Sequence, residues 1–256
     1  MISKKHQYDR DRCDIPLSEA AKNLAERVKT ITFSLPVTHV YNPLDYAWGT
    51  YSEYLERYAR TRKRVLFLGM NPGPWGMAQT GIPFGEINYV RDWLKINGDI
   101  DKPENEHPKR KITGFACPRS EVSGRRLWSL FSNVFGSPDR FFKDHFVANY
   151  CPLVFMEDSG RNRTPDKLTI AERNLLFEVC DEHLARTVEI LKPEWLIGIG
   201  GFAEKRLFEA VSKTGMEFSG NVGKILHPSP ASPAANSGWE ERALHQLQDL
   251  GVWSSN

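Results

Sequence analysis

"RVLFLGMNPGPWGMAQTGIPFG", residues 64–85, joins a short apolar run to a loop that contains five glycines and three prolines. The apolar run has the length and composition of a buried strand. The loop is costly as regular structure, because glycine loses the most chain entropy on folding and proline lacks a backbone donor. A loop of this composition directly after a strand raises the question of what it is shaped to hold.

Three further apolar runs have the same strand character, and segments with helical periodicity separate them. Strands are predicted at residues 64–68, 145–151, 194–200 and 223–228, and helices at residues 16–33, 51–60, 86–96, 124–136, 169–191, 202–215 and 237–251. A glycine, Gly215, is the expected C-cap of the helix at 202–215. This alternation predicts an α/β fold, a three-layer α/β/α sandwich around a four-stranded, mostly parallel sheet. We expect a single domain over residues 1–256, with N-terminal helices in residues 1–60 packed on it.

Composition excludes several classes of protein. With 40% hydrophobic residues the chain can bury a substantial core, and no apolar run approaches the roughly 20 residues of a membrane span. A net charge of +2 excludes a polycation, so an anionic partner must be held by local patches, and basic windows occur at residues 57–64, 107–111 and 118–126. Since the N-terminal residues lack the apolar core of a secretory signal, we expect a cytoplasmic protein, nucleoid-associated in a bacterium.

The cysteines argue against a metal centre. Cys13, Cys117, Cys151 and Cys180 are scattered and form no C-x-x-C pair, which is poor spacing for zinc, an iron–sulfur cluster or a redox dithiol. We therefore expect ordinary thiols, with no metal and no cofactor.

Each predicted strand runs into an unusual segment, and these segments should meet. In open parallel sheets, ligands bind in the crevice beyond the carboxyl ends of the strands. The four strand ends would bring together Asn71, Asn149, Gly200 with Gly201, and His227. The glycines at 198–201 do not favour dinucleotide binding, because that fingerprint belongs to the first strand of a βαβ unit and here it follows the third.

Residues 69–86 and 227–240, with "NYCPL" at 149–153 between them, resemble the active-site motifs of the uracil-DNA glycosylase superfamily, and specifically its single-strand-selective monofunctional branch. The similarity extends over about residues 64–239. It implies an α/β/α fold and a hydrolase that flips uracil out of single-stranded or duplex DNA and leaves an abasic site in base excision repair. We expect no membrane association, no obligatory protein partner and a monomer.

The resemblance assigns chemistry to two matching residues. Asn71 would position the attacking water, since its amide can accept a hydrogen bond but is too weakly basic to remove a proton. His227 would donate a hydrogen bond to uracil O2 as negative charge develops there, and a neutral imidazole suffices. The reaction would be largely dissociative.

Base recognition falls to a second group of matching residues. One fixed carboxamide, that of Asn149, complements the N3–H donor and O4 acceptor of uracil but not the reversed pattern of cytosine. Phe84 would stack on the flipped ring, and Met70, Gly73 and Met77 would line the rest of the base site. Room beside Gly73 makes 5-hydroxymethyluracil an expected second substrate.

The second motif would supply the segment that enters the duplex and fills the gap left by the base. Its residues are Pro228, Ser229, Pro230, Ala231, Ser232, Pro233, Ala234, Ala235 and Asn236. Relatives often carry a basic residue where this chain has Ala231, a departure that bears on how firmly the segment grips duplex DNA. No lysine lies in either motif, the nearest being Lys224, so we expect no lyase activity.

Two other functions remain open on the sequence. A catalytically silent protein that binds single strands or abasic sites would use the basic windows and exposed aromatic side chains. A small-molecule hydrolase or transferase would use the glycine-rich loop to hold a phosphate or a free nucleoside.

Overall fold

The computed structural model describes residues 12–213 and 218–254. Its helices are α1 Asp14–Lys29, α2 Pro43–Tyr46, α3 Trp48–Tyr58, α4 Met77–Thr80, α5 Val122–Phe135, α6 Pro138–Phe142, α7 Ile170–Leu191, α8 Gly201–Lys213 and α9 Trp239–Asp249. Its strands are β1 His39–Tyr41, β2 Val65–Gly69, β3 His145–Asn149, β4 Val154–Met156, β5 Asn162–Arg163, β6 Trp195–Ile199 and β7 Asn221–Ile225.

The main sheet is parallel and has the strand order β3-β2-β6-β7. Every residue of β2 is buried, as expected of a central strand covered on both faces. All four predicted strands are present in this sheet, and their carboxyl ends share one edge. In the register of β2 and β3, Val65 pairs with His145 at one end and Gly69 with Asn149 at the other.

Helices cover both faces of the sheet. One layer contains α1, α3, α7 and α8, and the other contains α5, α6 and α9. The Phe67 ring packs on Phe131 and Phe141 of the second layer, while Phe146 packs on Tyr54 of the first. Truncating a buried phenylalanine of this kind costs about 3–5 kcal/mol. The predicted three-layer α/β/α sandwich is confirmed.

A second, antiparallel sheet of order β1-β4-β5 was not predicted. Its strands have only two or three residues, too few to show an alternating pattern. The hairpin of β4 and β5 follows directly after the "NYCPL" segment, so this small sheet extends the main one at its carboxyl edge.

The helix predicted at residues 86–96 is shorter than expected. It covers residues 87–93, where Tyr89–Trp93 form a π-helical turn, and Phe84 and Lys95 on either side of it have positive φ angles of 54° and 55°. A left-handed residue interrupts an α-helix, so the segment is too short for the predicted one. The first helix also begins and ends earlier than predicted, at Asp14 and Lys29. The expected C-cap Gly215 lies outside the described residues.

The first basic window, residues 57–64, belongs to the fold rather than to a ligand site. It precedes β2 and therefore lies at the amino edge of the sheet, opposite the strand ends. Lys63 is buried and donates to the Phe142 carbonyl, and burial lowers its pKa to about 8. Arg64 donates to the Val252 carbonyl.

Candidate active site

The carboxyl ends of β2, β3 and β7 open onto one cavity of about 340 Å³. Small-ligand pockets span roughly 300–1,000 Å³, so this one suits a single base with part of its sugar. Its walls are formed by Met70, Asn71, Pro72, Gly73, Met77, Phe84, Glu121, Ser123, Asn149, Asn162, Thr164, His227 and Ser229. The structure thus brings together every residue predicted to hold or attack the base, whereas Gly200 and Gly201 do not line the cavity.

The Asn71 side chain has a fixed orientation. Its Nδ2 donates to the carbonyl oxygen of Leu153 at 3.0 Å and to that of Pro72 at 3.3 Å. Because both partners can only accept, the nitrogen must face them and the oxygen Oδ1 must face the other way. Asn71 is therefore an acceptor on the cavity side, suited to hold a water molecule.

His227 is fixed in one tautomer by the loop that follows it. The backbone N–H of Ser229 donates to His227 Nδ1 at 3.1 Å, so Nδ1 carries no proton and the proton of the neutral ring is on Nε2. Burial lowers the pKa of His227 below its ordinary value, which keeps the ring neutral near pH 7. The imidazole thus offers the cavity a neutral N–H donor.

Asn149 and Phe84 share space that only a glycine leaves open. A Cβ atom on Gly69, the strand partner of Asn149, would overlap both the Asn149 Oδ1 atom and the Phe84 ring. Asn149 Nδ2 lies 3.3 Å from the Met77 sulfur, a weak acceptor, and its second N–H is left for a ligand. The glycine at the end of β2 is therefore needed to seat the amide and the ring side by side.

The Phe84 backbone is held in an unusual conformation. Its φ of 54° is uncommon for a bulky residue, and the indole N–H of buried Trp128 donates to the Phe84 carbonyl at 2.9 Å. Gly124 packs so closely on that carbonyl that a Cβ there would overlap it. These contacts present the Phe84 ring to the cavity, with its centroid 6.5 Å from that of His227.

A buried polar cluster anchors the segment that carries Asn149. The next residue, Tyr150, is buried and donates its hydroxyl to Asp181 at 2.8 Å, and burial raises the pKa of Tyr150 well above its ordinary value. Arg206 forms an ion pair with Asp181 and lies 4.4 Å from the centroid of the Phe177 ring. This cluster fixes the backbone next to the Asn149 amide.

Glu121 is a cavity residue that the sequence analysis missed. Its Oε2 is inaccessible to solvent and has no hydrogen-bond partner among the described residues, and its carboxyl packs against Gly73 and Gly76. Burial, with a smaller contribution from Glu86, raises the pKa of Glu121 to about 7. Its position in the basic window at 118–126 made it look like part of a solvated face.

Four other cavity residues were also missed, and one of them, Pro72, follows Asn71 directly. Ser123 lies in the first turn of α5, and Asn162 and Thr164 lie on and just after β5. The β5 residues gave no sequence signal, because the small antiparallel sheet that places them was not predicted.

The predicted duplex-entering segment, residues 228–236, forms a loop with a short 3-10 turn at Pro233–Asn236. Pro228 and Ala235 are buried, which leaves Pro230, Ala231, Pro233, Ala234 and Asn236 exposed and Ser229 and Ser232 half-buried. The exposed residues are the ones available to enter DNA.

An arginine from the third basic window holds this loop. Arg126 donates to the Pro228 carbonyl at 2.8 Å and to Asn236 Oδ1 at 3.2 Å. At its base, the Trp239 indole N–H donates to the Leu226 carbonyl at 2.7 Å. Arg126 thus links the two ends of the loop, and Trp239 fixes the chain just before it.

The described residues, 12–213 and 218–254, contain no cluster of three or more histidine, cysteine, aspartate or glutamate side chains placed to bind a metal ion. Within the same residues, no helix has both the length and the apolarity to cross a bilayer. Lys224, the lysine nearest the second motif, forms an ion pair with Glu204 at 2.8 Å and does not line the cavity.

Comparison with known proteins identifies the family. The family model of the uracil DNA glycosylase superfamily matches residues 56–248. The single-strand selective monofunctional uracil-DNA glycosylase of Rattus norvegicus is 48% identical over 91% of this chain and 84% of its own length. For the Mus musculus protein of the same description the values are 47%, 91% and 83%. The crystal structure of wild-type Pedobacter heparinus SMUG2 shares the fold, with a TM-score of 0.65 and 18% identity over 91% of this chain and 99% of that one. The chain belongs to the uracil DNA glycosylase superfamily.

Proposed function

We propose that this chain is a monofunctional uracil-DNA glycosylase that flips uracil out of single-stranded or duplex DNA, hydrolyses the N-glycosidic bond and leaves an abasic site for base excision repair. One observation carries the proposal. Asn71, Asn149 and His227 line the same cavity, and each has one polar atom bound to the protein and another left for a ligand. The atoms that remain suit an attacking water, the edge of uracil and the charge that develops on the leaving base.

Hydrolysis requires a water near the sugar and a stabilised leaving group. The Asn71 oxygen accepts a hydrogen bond from that water, and the His227 Nε2–H donates to uracil O2. Because negative charge grows on O2 as the bond breaks, the hydrogen bond from His227 strengthens toward the transition state and lowers the barrier. An amide removes no proton, so bond breaking runs ahead of water attack, and the proton that the water loses passes to the departing uracil anion or to solvent.

Selection of uracil rests on Asn149. Its remaining N–H faces O4 and its oxygen faces N3–H, whereas cytosine presents an amino group and an unprotonated nitrogen at those positions. Cytosine in the cavity would leave buried polar groups unpaired, at a cost of about 1–3 kcal/mol each. Gly73 adds no side chain on the C5 side, so 5-hydroxymethyluracil is included in the proposal as a second substrate.

The residues that form the cavity wall lead us to propose that the protein has no lyase activity. Schiff-base formation with the abasic sugar needs an amine within reach. None of the described cavity residues is a lysine, and Lys224 is engaged by Glu204. The product is therefore an intact abasic strand.

The proposal also covers the state and location of the protein. It acts as a monomer in the cytoplasm, nucleoid-associated if the cell is bacterial, because removal of one base needs no second copy of the cavity. Light scattering coupled to size exclusion at working concentration tests the oligomeric state, and a dimer mass would contradict it.

The test of the proposal is excision from oligonucleotides that carry one uracil, either single-stranded or paired with guanine. We expect strand cleavage only after alkali treatment, full activity in EDTA and no release of uracil from free deoxyuridine. Asn71→Ala serves as the inactive control. Binding of uracil DNA without excision would favour a silent binding protein, and activity on deoxyuridine alone would favour a small-molecule hydrolase.

A further inference from the structure

Beside the cavity, an aromatic side chain is in contact with two arginines. Trp75 lies in the loop of residues 70–86 that follows β2, called the first loop, between the cavity residues Gly73 and Met77. It is half-buried and does not line the cavity itself. The guanidinium carbons of Arg110 and Arg119 lie 5.1 and 5.2 Å from the centroid of the Trp75 ring. Both distances are in the range of cation–π contact.

The fold brings two of the basic windows found in the sequence, 107–111 and 118–126, to this tryptophan. Gln79 Nε2 donates to the carbonyls of Pro74 and Lys111, both at 3.0 Å, which ties the first loop to the window at 107–111. Arg110 Nε donates to the Gly160 carbonyl at 2.8 Å. Arg110 is thus fixed between the first loop and the β4–β5 hairpin, two parts of the cavity wall.

Positive charge at this place is not neutralised. Among the described residues, Arg110 and Arg119 form no ion pair with a carboxylate, and Lys109 and Lys111 are exposed next to them. Arg126 of the same third window is engaged by the loop of residues 227–236, called the second loop. Two arginines without a carboxylate partner are therefore held against one indole beside the cavity, with two exposed lysines next to Arg110 in the sequence.

We propose that Trp75, Arg110 and Arg119, with Lys109 and Lys111, form a docking surface for the single-stranded DNA that flanks the flipped nucleotide. We name it the Trp75 surface. A base next to the target stacks on the indole in place of a guanidinium, and the displaced arginine binds a phosphate.

This surface distinguishes single strands from duplex. In a duplex the neighbouring bases are paired and stacked on one another, so they cannot reach Trp75 and only the attraction between arginines and phosphates remains. The inference rests on the proposed function and deepens it, because it places the DNA that flanks the flipped nucleotide at the rim of the same cavity.

The experiment measures affinity by fluorescence anisotropy for single-stranded and duplex oligonucleotides that carry a stable abasic analogue. We expect Trp75→Leu to weaken single-strand binding about tenfold and duplex binding less than twofold, with Trp75→Phe close to the parent. Arg119→Ala, an exposed site, should reduce the slope of single-strand affinity against salt by about one ion. Lys22→Ala is the matched control, since Lys22 lies 5.1 Å from the Trp48 ring centroid on helices away from the cavity.

A second measurement detects base stacking directly. The fluorescence of 2-aminopurine placed beside the abasic analogue should be quenched by the parent protein and by Trp75→Phe but not by Trp75→Leu. Thermal melting checks that each variant is folded, and if Trp75→Leu is not, Arg119→Ala and Arg119→Glu carry the test.

Unchanged single-strand affinity in folded Trp75→Leu and Arg119→Ala, or equal losses on both DNA forms, would overturn the inference. Failure of the proposed function is distinguishable, because it would appear as absent uracil excision by the parent while these binding differences persist.

Discussion

The two loops that carry Asn71 and His227 are built in different ways. In the first, residues 76–85 are buried without interruption, and side chains from elsewhere bind their backbone: Tyr46 donates to the Ala78 carbonyl at 2.7 Å and Thr50 to the Thr80 carbonyl at 2.6 Å. In the second, residues 229–236 are mostly exposed and bond largely to one another, with Arg126 as the clamp from outside.

Under the proposed function, this difference separates the loop that holds reacting groups from the loop that enters DNA. Reacting groups must be held within a fraction of an ångström, which a buried and cross-linked loop provides, whereas a segment that enters a duplex must adapt to it. His227 belongs to the rigid part although it begins the second loop. It follows β7, and its ring rests on Gly200, where a Cβ would come within 3.0 Å of the His227 Cβ.

The largest expected effect is a loss of excision rate from substitutions at the two rigidly held side chains. Asn71→Ala and His227→Ala should each lower the single-turnover rate of uracil excision a hundredfold or more, on the order of losing an oxyanion donor, with modest loss of DNA affinity. Rapid quenching with saturating enzyme measures the rate. A near-parental rate in either variant would remove that residue from the mechanism.

Base reading should show the next largest effect. Asn149→Asp replaces the N–H that faces O4 with an acceptor, so uracil excision should fall by tens to hundreds of fold. A protonated carboxyl can donate to cytosine N3, and weak cytosine excision is expected as the pH falls. The measurement compares matched uracil and cytosine oligonucleotides, with thermal melting as the control for folding. Parental uracil excision by a folded variant would mean that other residues read the base.

Removing the Arg126 side chain, which holds the second loop, tests whether this loop contributes to duplex binding rather than to chemistry. Arg126→Ala removes hydrogen bonds to Pro228 and Asn236, so duplex affinity should fall about fivefold to tenfold while the saturated single-strand rate changes by less than about threefold. Thr50→Val, which removes a bond to the first loop, should instead lower stability by about 1–3 kcal/mol. If Arg126→Ala slows chemistry on both substrates, the two loops are not separable in this way.

Substitution of Glu121 should have the smallest effect on the excision rate and a pH-dependent effect on the free energy of unfolding. Its folded pKa of about 7 lies above the ordinary 4.5, so the folded state favours the neutral carboxyl and loses stability as the pH rises from 4.5 through 7. Glu121→Gln should therefore gain about 1–3 kcal/mol in the free energy of unfolding at pH 8 and nothing at pH 4. Urea denaturation at the two pH values measures this. An equal gain at both would exclude a titrating carboxyl as the cause.

The sequence predicted those parts of the molecule that depend on local pattern. The strand before Gly69, the helix Ile170–Leu191 and the four strands of the main sheet follow from apolar runs and periodicity. The meeting of Asn71, Asn149 and His227 followed from the rule that parallel strands open on one edge.

The features that the sequence did not predict depend on contacts between distant segments. Strands as short as β5 have no period to detect, and the π-helical turn at 89–93 depends on left-handed residues that no pattern announces. Glu121 acquires its character from burial against Gly73 and Gly76, which a charged window conceals. Trp75 likewise meets its two arginines only through the folding of separate loops.

Because Gly69 pairs with Asn149, the register of the main sheet determines which β3 side chain lies beside the cavity. A slip of one residue turns a strand's side chains to the opposite face, so β3 would present Ala148 or Tyr150 beside Gly69 instead. The alignment is also held at the far end of the strand, where the Trp253 indole N–H donates to His145 at 2.9 Å. A substitution at that far end, remote from the cavity, would loosen the register that places the Asn149 amide.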